Sequence, residues 1–195
     1  MAGSDTGQAN AAQAAIGGGG DRLTRAHEPL GKAGCSVDTQ TIQILGRNRL
    51  VDELLMAGLE VALPLRERGV DLIAYLELPS VASKFVVVPI QMRAASTRAF
   101  SLDAKYAKVS NLVTAYVWGL RAPEHASTFA LTYSEALAVT EAMGWTATAA
   151  WDSGTYSTSS PSQRLLERLL PYRMSPEAWR TKITTISQAA LAASL

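Results

Sequence analysis

An aspartate stands inside an apolar run, Gly69-Val70-Asp71-Leu72-Ile73, and this limits what the chain can build. A carboxylate within a buried strand is costly unless it is paired or bound to a cation. A second run, Pro89-Ile90-Gln91-Met92-Arg93, carries its polar residues two apart. At that spacing Gln91 and Arg93 project from one face of a strand, while Ile90 and Met92 project from the other. If the two strands pair as a hairpin, an acid, an amide oxygen and a cation converge on one patch. Two readings stand side by side: a site for a cation or phosphate, or a structural ion pair between Asp71 and Arg93.

The surrounding pattern is mixed helix and strand. Residues 48–57 carry an apolar stripe of Leu50, Val51, Leu54 and Leu55, which predicts an amphipathic helix stopped at Gly58. Strands are expected over 59–64, 70–76 and 84–94, with a turn at Pro79-Ser80, and again over 112–118 and 129–132. Residues 101–109 are expected to be helical. Thr132 and Glu135 form a capping box for a helix through Met143. Residues 152–160 are expected to be a polar loop. Ser160-Pro161 and Ser175-Pro176 each mark a helix start, with serine as the cap and proline in the first turn.

The first 40 residues hold the run Gly17–Gly20 and few large apolar side chains, so they are expected to form a flexible, low-complexity tail. Residues 41–195 are expected to form a single domain. The glycine run lacks the following Gly-Lys-Ser/Thr of a phosphate loop. With 48% hydrophobic and 18% charged residues in 195, the chain affords a packed core. Its net charge of +1 excludes a polycationic binder. The lone cysteine, Cys35, and the two histidines, His27 and His125, exclude a disulfide framework and a cysteine or histidine-rich metal site. No apolar run of about 18 residues occurs, so no membrane span is expected. Residues 1–20 lack the pattern of a signal peptide, which reads as a cytoplasmic protein.

Gly69-Val70-Asp71 on the second strand and Gln91-Met92-Arg93 on the third resemble the PD-(D/E)xK nuclease superfamily. The likeness is to its Mrr-type restriction enzymes and intron-encoded endonucleases, and Gly58-Leu59-Glu60-Val61 resembles the usual lead into the first strand. The resemblance covers roughly residues 46–120. It implies a restriction-endonuclease-like α/β core with a mixed sheet, in the order helix, three strands, helix, strand. Extra C-terminal helices would follow that core. It implies DNA as partner and hydrolysis of phosphodiester bonds assisted by Mg2+ or Mn2+. Asp71 would then be the charged metal ligand, with the Gln91 side-chain carbonyl and the Met92 backbone carbonyl as neutral ones. Arg93 takes the position that is lysine in relatives and would steady the water or the phosphoryl oxygens. With Asp71 the only anionic ligand, the metal is expected to bind weakly. A homodimer is a further expectation for an enzyme that cuts both strands. The alternative carried by the same residues is a degraded member that binds nucleic acid or a protein partner without cutting.

Arg93, Arg98, Lys105 and Lys108 outnumber Asp103 over residues 93–108. Arg164, Arg168, Arg173, Arg180 and Lys182 outnumber Glu167 and Glu177 over 161–195. Either set would serve as a phosphate-contacting face or as an ordinary solvated surface. Among the aromatic residues, Tyr156 in the expected polar loop is the candidate for contact with nucleic acid.

Overall fold

A computed structural model describes residues 38–66, 68–77 and 85–193. Residues 1–37, with His27 and Cys35, lie outside the described residues, as does the expected Pro79-Ser80 turn.

The first helix, α1, runs Thr39–Met56 and is capped by Asp38, whose side chain accepts from the Thr41 backbone N–H at 2.7 Å. It therefore starts nine residues before the expected 48, and residues 38–40 belong to it rather than to a tail. Gly46 lies inside the helix. A Cβ there would stand 2.7 Å from that of Ala94, so the glycine lets the helix approach the sheet closely. The buried stripe is Ile42, Gly46, Leu50 and Leu54, at a spacing of four, and Leu55 faces solvent.

Five strands form the main sheet in the order β1-β2-β3-β5-β6: Glu60–Ala62, Leu72–Tyr75, Val88–Ala94, Val113–Trp118 and Ser127–Thr132. β1, β2 and β3 form an antiparallel meander, β3 and β5 are parallel, and β6 returns antiparallel. The fold is thus a mixed α+β architecture. One face (Leu72, Ala74, Val88, Ile90, Met92, Val113) packs on α1 and on the last helix, α5, Pro176–Ala192. The other face presents Tyr116, Trp118, Phe129 and Leu131 to a second layer. That layer holds α2 (Tyr133–Ala142), α4 (Gln163–Leu169) and a two-stranded sheet. Between α2 and α4 lies the single turn α3, Ala149–Asp152. All of β5 is buried, as expected for a strand covered on both faces.

Three expectations fail in that second layer. Residues 101–109 are not one helix: Phe100–Asp103 form strand β4, and only Ala104–Lys108 turn into a short 3-10 helix. Phe100 and Leu102 alternate with half-buried residues and pack on the main sheet. Tyr116 donates to the Ser101 carbonyl and Trp118 Nε1 to the Ala99 carbonyl, which pins the segment as strand. Its partner, β7, Thr155–Thr158, lies inside the expected polar loop. The cap of α4 is Ser162, two residues after the expected Ser160. The caps at Thr132/Glu135 and Ser175 are as expected.

Two half-buried carboxylates tie the layers together. Glu53 of α1 accepts from Thr128 of β6 at 2.8 Å and from the Trp179 indole of α5 at 3.1 Å, with Arg49 Nε at 2.9 Å. Glu135 closes the α2 capping box and meets Lys182 Nζ at 2.7 Å. Burial pushes the Glu135 carboxyl up, but the Lys182 bond and the Thr132 N–H outweigh it and hold the group below its ordinary value. A depressed carboxylate stabilises above the unfolded-state pKa, and that stability is lost as pH falls through the folded value. Glu135→Gln should therefore lose about 1 kcal/mol near neutral pH. The difference in urea midpoint from the parent should shrink below about pH 4. No helix among the described residues is long and apolar enough to cross a membrane.

Candidate active site

Asp71 stands one residue before β2, where its backbone N–H still donates to the Ile90 carbonyl at 2.8 Å. The register Leu72↔Ile90 sets Asp71 opposite Gln91. Both side chains lie on the sheet face away from α1, because Leu72, Ile90 and Met92 occupy the face packed on α1. Asp71 Oδ2 accepts from Gln91 Nε2 at 2.6 Å and from the Met92 backbone N–H at 2.6 Å. Gln91 Nε2 also donates to the Met92 carbonyl at 3.1 Å, and Gln91 Oε1 accepts from the Tyr106 hydroxyl at 3.0 Å. Gln91 is buried and Asp71 half-buried, so a charged group sits at the rim of a desolvated strand face.

Gly69 makes the approach to Asp71 possible. Its φ is +89°, a left-handed conformation, and its α-carbon lies beside Tyr106 and Gln91. An added Cβ finds ordinary contact distances there, the nearest atom being Tyr106 Cε1 at 3.7 Å. The obstacle is therefore the backbone rather than space. Gly69→Ala should cost roughly 1–2 kcal/mol, read as a lower urea midpoint, and should loosen the placement of Asp71.

Arg93 lies two residues farther along the same face. The Asp71–Arg93 ion pair, one of the two readings open from the sequence, is not formed among the described residues. The charge of Arg93 acts instead on Asp103 and Tyr116. Burial pushes the Asp103 carboxyl up, but bonds to Lys105 and the nearby Arg93 together hold it low. Burial raises the Tyr116 phenol against the pull of Arg93. Asp103 caps the 3-10 helix through the Lys105 N–H at 3.0 Å and pairs with Lys105 Nζ at 2.7 Å, and that ammonium lies 4.9 Å from the Tyr106 ring centroid. A continuous polar chain thus runs from Asp71 through Gln91, Tyr106 and Lys105 to Asp103.

Two members of that chain, Tyr106 and Asp103, are not among the residues singled out from sequence. Phe100 and Leu102 alternating before an Asp at a cap position was the available signal. Of the weaker candidates, Lys105 is engaged by Asp103, and Lys108 is exposed at the end of the 3-10 helix. Arg98 lies elsewhere, beyond the end of β3. Tyr156 belongs to β7 and stacks on Trp145 at 4.1 Å, so one face of its ring is covered. The acids of α1 do not reach Asp71: Glu53 is spent on Thr128, Trp179 and Arg49, on the opposite side of the sheet.

The donor set suits a hard cation. Gln91 Nε2 now lies between Asp71 Oδ2 and the Met92 carbonyl. An amide turned by half a rotation presents Oε1 at that point, and the Tyr106 hydroxyl can accept from the nitrogen as readily as it donates to the oxygen. Asp71, Gln91 and Met92 then offer three oxygens, the ligand type that Mg2+ and Mn2+ prefer. Among the described residues no group of three or more His, Cys, Asp or Glu side chains is placed to hold a metal.

No family model and no curated protein matches the chain. Among solved structures it is similar to the bacterial homing endonuclease I-Ssp6803I, with 11% identity and a TM-score of 0.43 over 80% of this chain and 98% of that one.

Proposed function

We propose that the chain is a metal-dependent, DNA-directed endonuclease-like protein that hydrolyses phosphodiester bonds. The reading rests on one observation: the Gln91 amide lies within hydrogen-bonding reach of both Asp71 Oδ2 and the Met92 carbonyl. It does so on the strand face that also carries Arg93.

Each residue has a task in this reading. Asp71 supplies the negative charge that draws a divalent cation, and Gln91 and the Met92 carbonyl complete a neutral oxygen set. Tyr106 fixes the Gln91 amide by its hydroxyl. The Arg93 guanidinium, with no carboxylate hydrogen bond among the described residues, is available to clamp two oxygens of a phosphate and to stabilise charge that develops there. When bound, the cation neutralises phosphoryl charge and makes its coordinated water more acidic. One anionic ligand gives weak affinity, so millimolar Mg2+ or Mn2+ is the working range.

A second reading is favoured by a different observation. Asp71 Oδ2 already accepts two hydrogen bonds, which suits a retired site whose chain binds nucleic acid without cutting it. Supercoiled plasmid incubated with the purified chain and Mg2+ or Mn2+ separates the two. Nicked or linear product that disappears in EDTA supports the nuclease. Retarded but uncut plasmid supports the second reading.

A further inference from the structure

A groove of about 520 Å3 opens where β3 and β5 end side by side, beyond Arg93. Because the two strands are parallel, the segments leaving them start together. They are held by Ala95 N–H to Val117 O at 2.8 Å, Gly119 N–H to Thr97 O at 2.7 Å and Arg121 N–H to Ser96 O at 3.2 Å. This brings Arg98 from one segment next to Arg121 and His125 from the other.

The chemistry of the lining is one-sided. Arg98 and Arg121 are exposed, and neither side chain is hydrogen-bonded or ion-paired among the described residues. His125 has Glu124 only at 3.9 Å, with both side chains well exposed, and no Asp or Glu lines the groove among the described residues. The remaining polar lining is hydroxyl: Ser96 and Thr97 on one wall, Ser127, Ser159 and Ser160 on the others. Cations without anions, interleaved with hydroxyl donors, match phosphate oxygens. The net charge of the whole chain is only +1, so this is a local feature and not a general basic surface. β3 runs about 10 Å from Gln91 to its end at Ala94, at 3.3 Å per residue, and the groove opens beyond it, with Arg93 between the two sites. That distance exceeds any single phosphate group and fits a polymer of phosphates.

We infer that this groove binds the phosphodiester backbone of a nucleic acid. Binding there needs neither a metal nor Asp71, so it stands whether or not the chain cleaves. The test is fluorescence anisotropy of a labelled DNA duplex with the full chain in EDTA, over a series of salt concentrations. Arg98→Ala/Arg121→Ala should weaken binding at least about tenfold and lower the slope of log affinity against log salt by about 2. Arg98→Lys/Arg121→Lys should keep most of both. Arg168→Ala/Arg173→Ala, an equal charge change on the α4 side, should leave affinity within about twofold, and the melting temperatures of all three should match the parent. Competition by inorganic phosphate alone at micromolar concentration would assign the groove to a free anion and overturn the inference. So would a parent that binds no duplex at low salt, or an alanine pair with unchanged affinity and slope. Loss of cleavage with binding intact would sink the nuclease proposal and leave this one standing.

Discussion

Asp71→Ala is expected to lower metal-dependent cleavage by at least about a thousandfold, since it removes the one carboxylate of the proposed oxygen set among the described residues. The same change should lower stability. In the folded chain Asp71 Oδ2 accepts from the Met92 N–H and from Gln91, so truncation strands a buried backbone donor. Leaving such a group unsatisfied costs about 1–3 kcal/mol. A lower urea midpoint therefore accompanies the loss of activity and does not by itself show a purely structural role. Asp71→Asn separates the two effects. It keeps an acceptor for Met92 and removes the charge, so most of the stability should return while cleavage stays lost. An Asn variant that cuts plasmid at the parent rate would show that the Asp71 charge is idle.

Arg93→Ala is expected to abolish cleavage with little change in stability. Arg93 forms no ion pair with Asp71 among the described residues, and its influence on Asp103 adds to a pair that Lys105 already makes at 2.7 Å. Its removal should move the urea midpoint by less than about 1 kcal/mol. Breaking a buried ion pair would instead cost roughly 3–5 kcal/mol. Arg93→Lys should retain or raise cleavage, because lysine keeps the charge as a compact donor that can approach a single oxygen. If Arg93→Ala cuts normally, the guanidinium is not part of the site. If it unfolds the chain, the residue is structural.

The hairpin geometry that joins Asp71 to Gln91 was legible because strand alternation is local: the two-residue period of Pro89–Arg93 fixes which side chains share a face. The caps at Thr132/Glu135 and Ser175 were legible for the same reason, since each is satisfied within one helical turn. The β4–β7 pair was not. Its strands have four residues each and lie more than fifty positions apart. Phe100–Asp103 has a weak β signal, and the Thr and Tyr of Thr155–Thr158 sit among Ser, Thr and Gly that read as loop; the pair exists because Phe100 and Leu102 pack on Tyr116 and its neighbours. Tertiary packing overrides weak local preference in such elements. Tyr106 and Asp103 were missed with them, because their positions depend on where β4 ends. Arg98 was grouped by sequence with Lys105 and Lys108, yet the turn back along β4 sends it to the opposite end of the strand, beside Arg121 and His125. The start of α1 was lost to Gly46, a helix-breaking signal that the close contact with Ala94 explains.

Phosphodiester hydrolysis by the Asp71–Gln91–Met92 oxygen set is the proposal on which the cleavage expectations depend. It is tested most directly by the initial rate of plasmid nicking in Mn2+, measured side by side for the parent chain and Asp71→Asn at matched concentration and confirmed fold. Measurable nicking by the parent that vanishes in EDTA is expected, with a rate at least about a thousandfold lower for Asp71→Asn. A folded parent that leaves plasmid intact in Mn2+ and in Mg2+, or an Asp71→Asn chain as fast as the parent, would contradict it.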